Sequence, residues 1–388
     1  MVGLLLEDMN PLVAASVALL AVAAVPYVLY LGLYAVLRPS GSPATKEAHE
    51  PTLSIVLPTF NEERIVEGKL ERICSLDYPV EKVEVVIVDA SEDETPNRIR
   101  EFFENREFPD VTLLEEETRR GLALALNDAY AAASNEVVVK TDCDSEVADD
   151  ALREAVENLA DPDVAAVTGR NAEVLGGSDV ESGYRGVQSY IQMLESHLDS
   201  TLIFHGPFSA FENDAIVPID EDSIADDTEL ALKIRRGGQR VLFDPAIRYR
   251  EAAHSAFRKR RKQKDRRAMG LLRLLVRNRD ALGRYGRYGR VVLPFNWWFM
   301  IVSPWLLAAT LLTGTVAGVS IFGPLGLVLP LAVGGFVFGG SRDMLGPLQA
   351  LYAVFDTQVS LLRAAVKLLA GKGSAVWEID SELREAYE

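Results

Sequence analysis

The chain has 388 residues, 48% of them apolar, and a formal net charge of −17. Length and apolar content together exclude a disordered chain and allow two or three domain-sized pieces. The two cysteines, Cys74 and Cys143, argue against a zinc cluster or a disulfide-stapled secreted scaffold.

The charge is unevenly placed. Between residues 258 and 290, fourteen Lys or Arg stand against Asp265 and Asp280, which gives +12 locally and −29 elsewhere. An acidic body of this strength stays soluble through self-repulsion and suits the high-salt cytoplasm of a halophilic source.

In chain order, a short N-terminus (1–10) precedes residues 11–37, "PLVAASVALLAVAAVPYVLYLGLYAVL", which carry no charge. About 20 apolar residues cross a hydrocarbon core of about 30 Å, so this stretch is expected to span a membrane. A cleaved signal peptide fits less well, because the preceding residues are acidic and the run is too long. A linker (38–51) leads into residues 52–257, where short apolar runs alternate with helical stretches. "LSIVLPTF", "VEVVIVDA", "EVVVKTD" and "VAAVTGR" read as strands buried on both faces, and "EERIVEGKLERICSL", "TPNRIREFFEN" and "GLALALNDAYAAA" read as helices. That alternation predicts an α/β domain around a largely parallel sheet.

The basic belt (258–290) follows, expected mostly at a lipid surface. Uncharged residues 291–341 have the length of two spanning helices of about 20 to 25 residues, broken near Gly323 and Pro324. In residues 342–388 an amphipathic helix is expected, with Leu348, Leu351, Tyr352, Phe355, Val359, Leu362, Val366 and Leu369 on one face and Gln349, Asp356, Ser360, Arg363 and Lys367 on the other. Its charged face suits an interfacial helix, or one packed on the globular domain. Arg38, Lys46, the belt and Arg342 all flank one side of the spans, so the positive-inside rule puts the globular domain in the cytoplasm and the N-terminus outside.

Ligands of parallel α/β sheets bind beyond the carboxyl ends of the strands. Three expected strands end in "PTFNEE", "DASEDET" and "TDCDSE", which would place polar and acidic groups on one rim.

These segments, with "GLALALND", "TDCDSEVADDAL", "ADDTELALKIRRGGQRVLFDP" and "QKDRR", resemble the motif set of glycosyltransferase family 2, over roughly Leu53 to Gly270. The resemblance implies an inverting enzyme with the GT-A nucleotide-sugar-binding (Rossmann-like) fold, of the integral-membrane type. By it, Pro58, Thr59, Asn61, Glu62, Asp89, Gly121, Asn127 and Asp142 lie around the nucleotide sugar. Asp144 and Asp142 are the metal ligands, and Asp227, beside Asp226, is the catalytic base. Gln263, Arg266, Arg267 and His205 serve the diphosphate or the acceptor. Leu122, Ala90 and Arg267 depart from the family pattern, where a lysine, a second aspartate and a tryptophan are usual.

The implied chemistry is coherent. Carboxylates one residue apart suit a hard cation, Mg²⁺ or Mn²⁺, shared with the substrate phosphates, and such a cation stabilises a departing diphosphate. An aspartate taking the acceptor's proton contributes about 10²–10⁴-fold. Cys143, between the two aspartates, is expected to pack inward, and Glu146 to be solvated. Asp226 and Asp227 also suit a helix N-terminus, one capping and the other catalytic.

The expected partners are therefore a nucleotide sugar linked to UDP or GDP, a saccharide or lipid-linked acceptor, and membrane lipid, with no nucleic acid. Two alternatives stand beside this: a polyprenyl-phosphate glycosyltransferase, whose acceptor is already ionised, and a non-catalytic membrane scaffold that binds anionic lipid through the belt.

Overall fold

The computed structural model describes residues 10–104, 110–175, 179–252, 257–371, 384 and 387. Residues 1–9 of the expected N-terminal segment, and most of the tail beyond 371, lie outside the described residues.

The chain begins with α1 (Pro11–Leu37), capped by the Asn10 side chain. Strand β1 (Leu53–Thr59) follows, then α2 (Val66–Cys74), β2 (Val83–Asp89), α3 (Thr95–Glu104), β3 (Asp110–Glu115), α4 (Leu122–Ala132), β4 (Val137–Lys140) and β5 (Ser145–Val147). The second half contains α5 (Ala151–Leu159), β6 (Val164–Leu175), α6 (Asp179–Leu198), β7 (Ser209–Glu212), α7 (Asp226–Gly237) and β8 (Arg240–Ala252). These strands form one eight-stranded sheet in the order β3-β2-β1-β4-β7-β6-β8-β5.

The β1–β2, β2–β3, β1–β4 and β6–β8 pairs are parallel, but β7 runs antiparallel to both its neighbours and β5 antiparallel to β8. The sheet is therefore mixed, less parallel than the strand–helix alternation suggests. Short β7 comes after α6 and the His205–Phe208 bridge, and enters the sheet between β4 and β6 in the opposite direction to both. Strands β1, β2 and β4 are fully or almost fully buried, as their unbroken apolar sequence requires. One core cluster on the α2/α3/α5 face joins Leu53, Ile55, Leu57, Leu70 and Ile99, and another on the α4/α7 face joins Val56, Val86, Leu126 and Leu230.

Beyond the sheet come α8 (Phe257–Arg277), wide π-helical turns at Tyr288–Val292 and Trp298–Val302 around α9 (Leu293–Trp297), then α10 (Ser303–Phe322), α11 (Val328–Gly340) and α12 (Gln349–Leu369). Two helical stretches, Pro11–Leu37 and Tyr288–Gly340, are long and apolar enough to cross a membrane. They pack together: Ser16 Oγ donates to the Thr310 carbonyl at 3.1 Å, Tyr27 OH and Ser303 Oγ share a hydrogen bond of 3.0 Å, and the Tyr30 ring stacks on Phe295.

Two expectations need correcting. The second leg of the 291–341 hairpin, α11, has 13 residues and so reaches only about 20 Å at about 1.5 Å per residue. The preceding Gly323–Leu327 turn folds back on α10 and uses up chain; a Cβ on Gly326 would sit 2.1 Å from the Gly318 carbonyl carbon, so only glycine permits that contact. The break itself falls where Gly323 and Pro324 predict it.

On α12 the expected faces hold only in part: Tyr352 is buried and Arg363 exposed as expected, but other positions are exchanged. Asp356, Gln358 and Ser360 are buried, while Leu351, Val366 and Leu369 are exposed. The polar side is turned inward because α8 presents cations to it: Arg261 pairs with Asp356 and Ser360, Lys264 with Asp356 at 3.2 Å, and buried Asp265 of α8 accepts from Lys367 at 2.7 Å. Among the described residues, at least four of the fourteen belt cations thus pair within the protein, Arg261 and Lys264 on Asp356, Arg267 on Glu251 and Arg277 on Asp222.

Candidate functional site

Thr59, Asp89 and Lys140 end three mutually parallel strands, so the loops that follow share one rim of the sheet. The first two loops are knitted together. Asp89 is buried, and its carboxylate accepts from Thr59 Oγ1 and Ser91 Oγ, both at 2.6 Å, and from the Ser91 N–H. The Asn61 N–H donates to Ser91 Oγ and the Glu92 N–H donates to Asn61 Oδ1; Asn61 itself takes a positive φ of 52°. Pro58 closes β1 at the same level, paired with Val88.

The third loop carries the acidic pair. Lys140 is buried at the end of an all-valine strand, with its ammonium 2.7 Å from Asp142 and 3.2 Å from Asp227. Gly206 closes over this triad, because a Cβ there would lie 2.4 Å from Asp142 Oδ2 and 2.9 Å from Lys140 Nζ. Beneath the loop, buried Lys69 donates to Thr141 Oγ1 and the Ser145 carbonyl, both at 2.8 Å, and burial pushes its pKa down to about 8. Cys143 packs into the core, and burial raises its thiol pKa well above the ordinary value. Glu146 pairs with Arg250 at the surface.

Asp144 accepts a hydrogen bond from Arg384 Nη1 at 2.9 Å, and the same guanidinium holds Glu62 through Nε at 2.8 Å and through Nη2. Burial pushes Glu62 up to about 7, against the pull of Arg384. Among the described residues no three His, Cys, Asp or Glu converge on a point fit for a metal. A pair of aspartates is nevertheless the usual complement for Mg²⁺ or Mn²⁺ when a diphosphate supplies the other oxygens.

Asp226 and Asp227 open α7, but neither caps it: Ala225 stands at the cap position and no side chain accepts there. The capping expectation fails because both aspartates are already inside the helix, where their side chains turn towards the cavity. Burial pushes Asp227 up to about 7, with Lys140 opposing and Asp226 and Asp142 adding to the rise. The nearly buried Asp226 leaves Oδ2 without a hydrogen-bond partner among the described residues.

A cavity of about 240 Å³ opens beside this group. Asp142, Lys140, Asp226, Asp227 and His205 line its inner end, Arg185, Lys264, Arg266 and Arg267 one wall, and Phe299, Met300 and Leu361 the side formed by the C-terminal helices. Glu251 bridges Arg185 and Arg267. Arg266, by contrast, has no hydrogen-bond or ion-pair partner among the described residues, although it is half-buried and that burial lowers its pKa. His205 bonds through Nε2 to Gln192 at 3.0 Å, and burial holds its pKa well below the ordinary value.

Two expected site residues fall elsewhere. Both ends of the Asn127 side-chain amide are bonded to the backbone of Ile219, so it braces a loop, with one N–H and one lone pair uncommitted by these bonds. Gln263 does not line the cavity, which takes Arg266 and Arg267 from the next turn of α8. Gly121 precedes α4 at φ 113°, a conformation that glycine alone adopts freely.

Sequence reasoning missed Lys140, Lys69 and Arg384. A lysine closing a valine strand is a signal that could have been read. Arg384 lies 240 residues from Asp144 and gives no local one.

With this geometry in view, comparison with known proteins is specific. The family model Glycosyl transferase family 2 matches residues 54–217, and Glycosyl transferase family group 2 matches residues 137–338. The poly-beta-1,6-N-acetyl-D-glucosamine synthase of Staphylococcus epidermidis is 32% identical over 209 residues, 52% of this chain and 48% of that protein. The Staphylococcus aureus (strain COL) synthase of the same name is 31% identical over 202 residues, 50% and 48% of the two chains. The chain thus spans about half the length of the curated relatives it matches. Among solved structures, the mannosyltransferase PcManGT from Pyrobaculum calidifontis, in complex with GDP-Man and Mn²⁺, superposes with a TM-score of 0.79 at 30% identity, covering 93% of this chain and 99% of that one.

The chain belongs to glycosyltransferase family 2 and has the GT-A fold. It is a glycosyltransferase, so the scaffold reading is not retained.

Proposed function

We propose that this chain is a membrane-bound inverting glycosyltransferase that moves a sugar, mannose from GDP-mannose in the leading version, onto a lipid-linked acceptor on the cytoplasmic face. The donor choice is supported by the likeness to PcManGT over nearly the full length of both chains. The membrane reading draws on the apolar stretches Pro11–Leu37 and Tyr288–Gly340, and the orientation on the basic residues that flank them. In this scheme 1–10 is outside, 11–37 and 291–341 lie in the bilayer, 38–51 links, 52–257 is the catalytic domain, and 258–290 and 342–388 brace it at the interface.

The carrying observation is the cavity, acidic at Asp227 and Asp142 and apolar at Phe299, Met300 and Leu361. An acceptor with a polar head and a hydrocarbon tail matches both ends, with entry from the membrane side.

Asp142 and Asp144 are the residues to hold Mg²⁺ or Mn²⁺, which supplies Lewis-acid stabilisation of the departing diphosphate. Glu62, Thr59, Pro58, Asn61 and Asp89 shape the nucleotide end of the rim. Asp227 takes the proton of the acceptor hydroxyl, with Lys140 fixing its direction and Asp226 beside it. Arg266 and Arg267 face the acceptor's phosphate, since guanidinium groups bind phosphate oxygens bidentately.

A second reading, with polyprenyl phosphate itself as acceptor, is favoured by one feature: the half-buried guanidinium of Arg266, on the cavity wall without an ion-pair partner among the described residues. Transfer from radiolabelled GDP-mannose to membrane lipid tests both readings. Loss of about 10²–10⁴-fold in Asp227→Asn is expected for a hydroxyl acceptor. A largely active Asp227→Asn with an inactive Arg266→Ala would assign the phosphate acceptor instead.

A further inference from the structure

Arg384 and Tyr387 bring the last residues of the chain onto the acidic rim. Arg384 is 3% exposed and spans two carboxylates, Glu62 and Asp144. Tyr387 secures the same spot from the other side: its hydroxyl donates to the Asp144 carbonyl at 2.5 Å and accepts from the Ala252 N–H at 2.7 Å, and its ring packs against the main core cluster. Nothing in the fold of the sheet requires a cation there. What the position offers is negative charge: Asp144 and Glu62 touch the guanidinium, and Cys143 lies within its field.

A guanidinium bridging two carboxylates does electrostatically what a divalent cation does at the same oxygens. Two cations a few ångströms apart in a partly buried site repel one another strongly. Full engagement of Asp144 by Arg384 and by a metal ion are therefore competing states.

We propose that Arg384 is a built-in competitor for the cation site: with Tyr387 it holds Asp144 when no metal is bound, and the metal must displace it from that carboxylate. The proposal rests on the reading of Asp144 as a metal ligand. It assigns the end of the chain a restraining role in which donor and metal engage the site only as Arg384 lets go.

The test is binding of Mn²⁺ alone to the detergent-solubilised full-length protein, followed by the EPR signal of the free ion. Comparisons are Arg384→Gln, Arg384→Lys, a chain ending at Leu383, and Asp144→Ala, each checked for an intact thermal transition. Loss of one charge-assisted hydrogen bond and its repulsion predicts affinity about tenfold or more tighter in Arg384→Gln. The chain ending at Leu383 should match it, and Arg384→Lys, which keeps the charge, should stay near wild type. Unchanged or weaker Mn²⁺ binding in both charge-removing variants overturns the competition. If Asp144→Ala binds Mn²⁺ as wild type does, the ligand assignment itself fails, and that outcome is separate because it does not involve Arg384.

Discussion

Lys140 is the residue on which the inner end of the cavity turns. It is 1% exposed, one of two buried lysines among the described residues, and it is tolerated there because Asp142 and Asp227 both lie within 3.2 Å. Removing it leaves two neighbouring carboxylates without their shared cation, so Lys140→Met should lower kcat/KM by about 10² or more and also destabilise the fold, since breaking a buried pair typically costs about 3–5 kcal/mol. The pH profile gives a sharper readout. Burial pushes Asp227 up to about 7, and a base works only when deprotonated, so kcat/KM should rise with pH through that value and level off above it. Lys140 pulls Asp227 downwards, so the rising limb should move to higher pH in Lys140→Met. Stability runs the other way: the native carboxyl keeps a proton that the unfolded chain has released, so this group's contribution falls as pH rises from the ordinary aspartate value of 3.8 to about 7. Asp142 and Asp144 stood out because acidic groups at a strand end are informative, and Asp227 only through the resemblance of its segment to a family motif. Lys140 did not, because only the folded distances distinguish a lysine that orders carboxylates from one that ends a strand.

At the scale of elements, the seam between α8 and α12 holds the catalytic sheet to the apolar helices. Asp356 is buried between Arg261, Lys264 and Tyr352, so its loss takes an ion-pair partner from two cations. Asp356→Ala should therefore cost about 3–5 kcal/mol, seen as a lowered Tm in detergent, whereas Asp356→Asn, which keeps a hydrogen-bond acceptor, should cost less. Periodicity gave α12 as a helix, since a repeat of three and four residues is a property of the chain itself, whereas the α8 segment was read only as a basic belt. It could not say which face of α12 turns inward. An amphipathic helix buries its apolar side against an apolar surface, but α8 meets α12 both with Ala268, Met269 and Leu272, which pack with Leu361 and Ala364, and with Arg261 and Lys264, which draw Asp356 inward. That complementarity leaves Leu351, Val366 and Leu369 outward, available to lipid.

For the whole molecule, the proposed topology puts the α10–α11 turn outside and the catalytic domain inside. In a Cys74→Ser background, where Cys143 stays buried, a cysteine at exposed Leu325 should react with a membrane-impermeant maleimide on intact cells, and one at Glu67 should react only after lysis. Equal labelling of both would reject this arrangement. The same architecture explains why the cavity is shared: its acidic end belongs to the sheet rim and its apolar end to the helices around Met300 and Leu361, so neither half forms the site alone.

The sequence by itself determined the α/β alternation, the apolar stretches, the family and the rim of acidic strand ends, because each is written in local periodicity or in short motifs. Only the tertiary structure decided the mixed sheet, the inward polar face of α12, the structural use of Asn127, the Lys140 bridge and the arrival of Arg384 on Asp144. Those depend on contacts between residues distant in the chain. Charges that compensate one another across such distances leave no pattern along the sequence, because burial, not spacing, makes them pair.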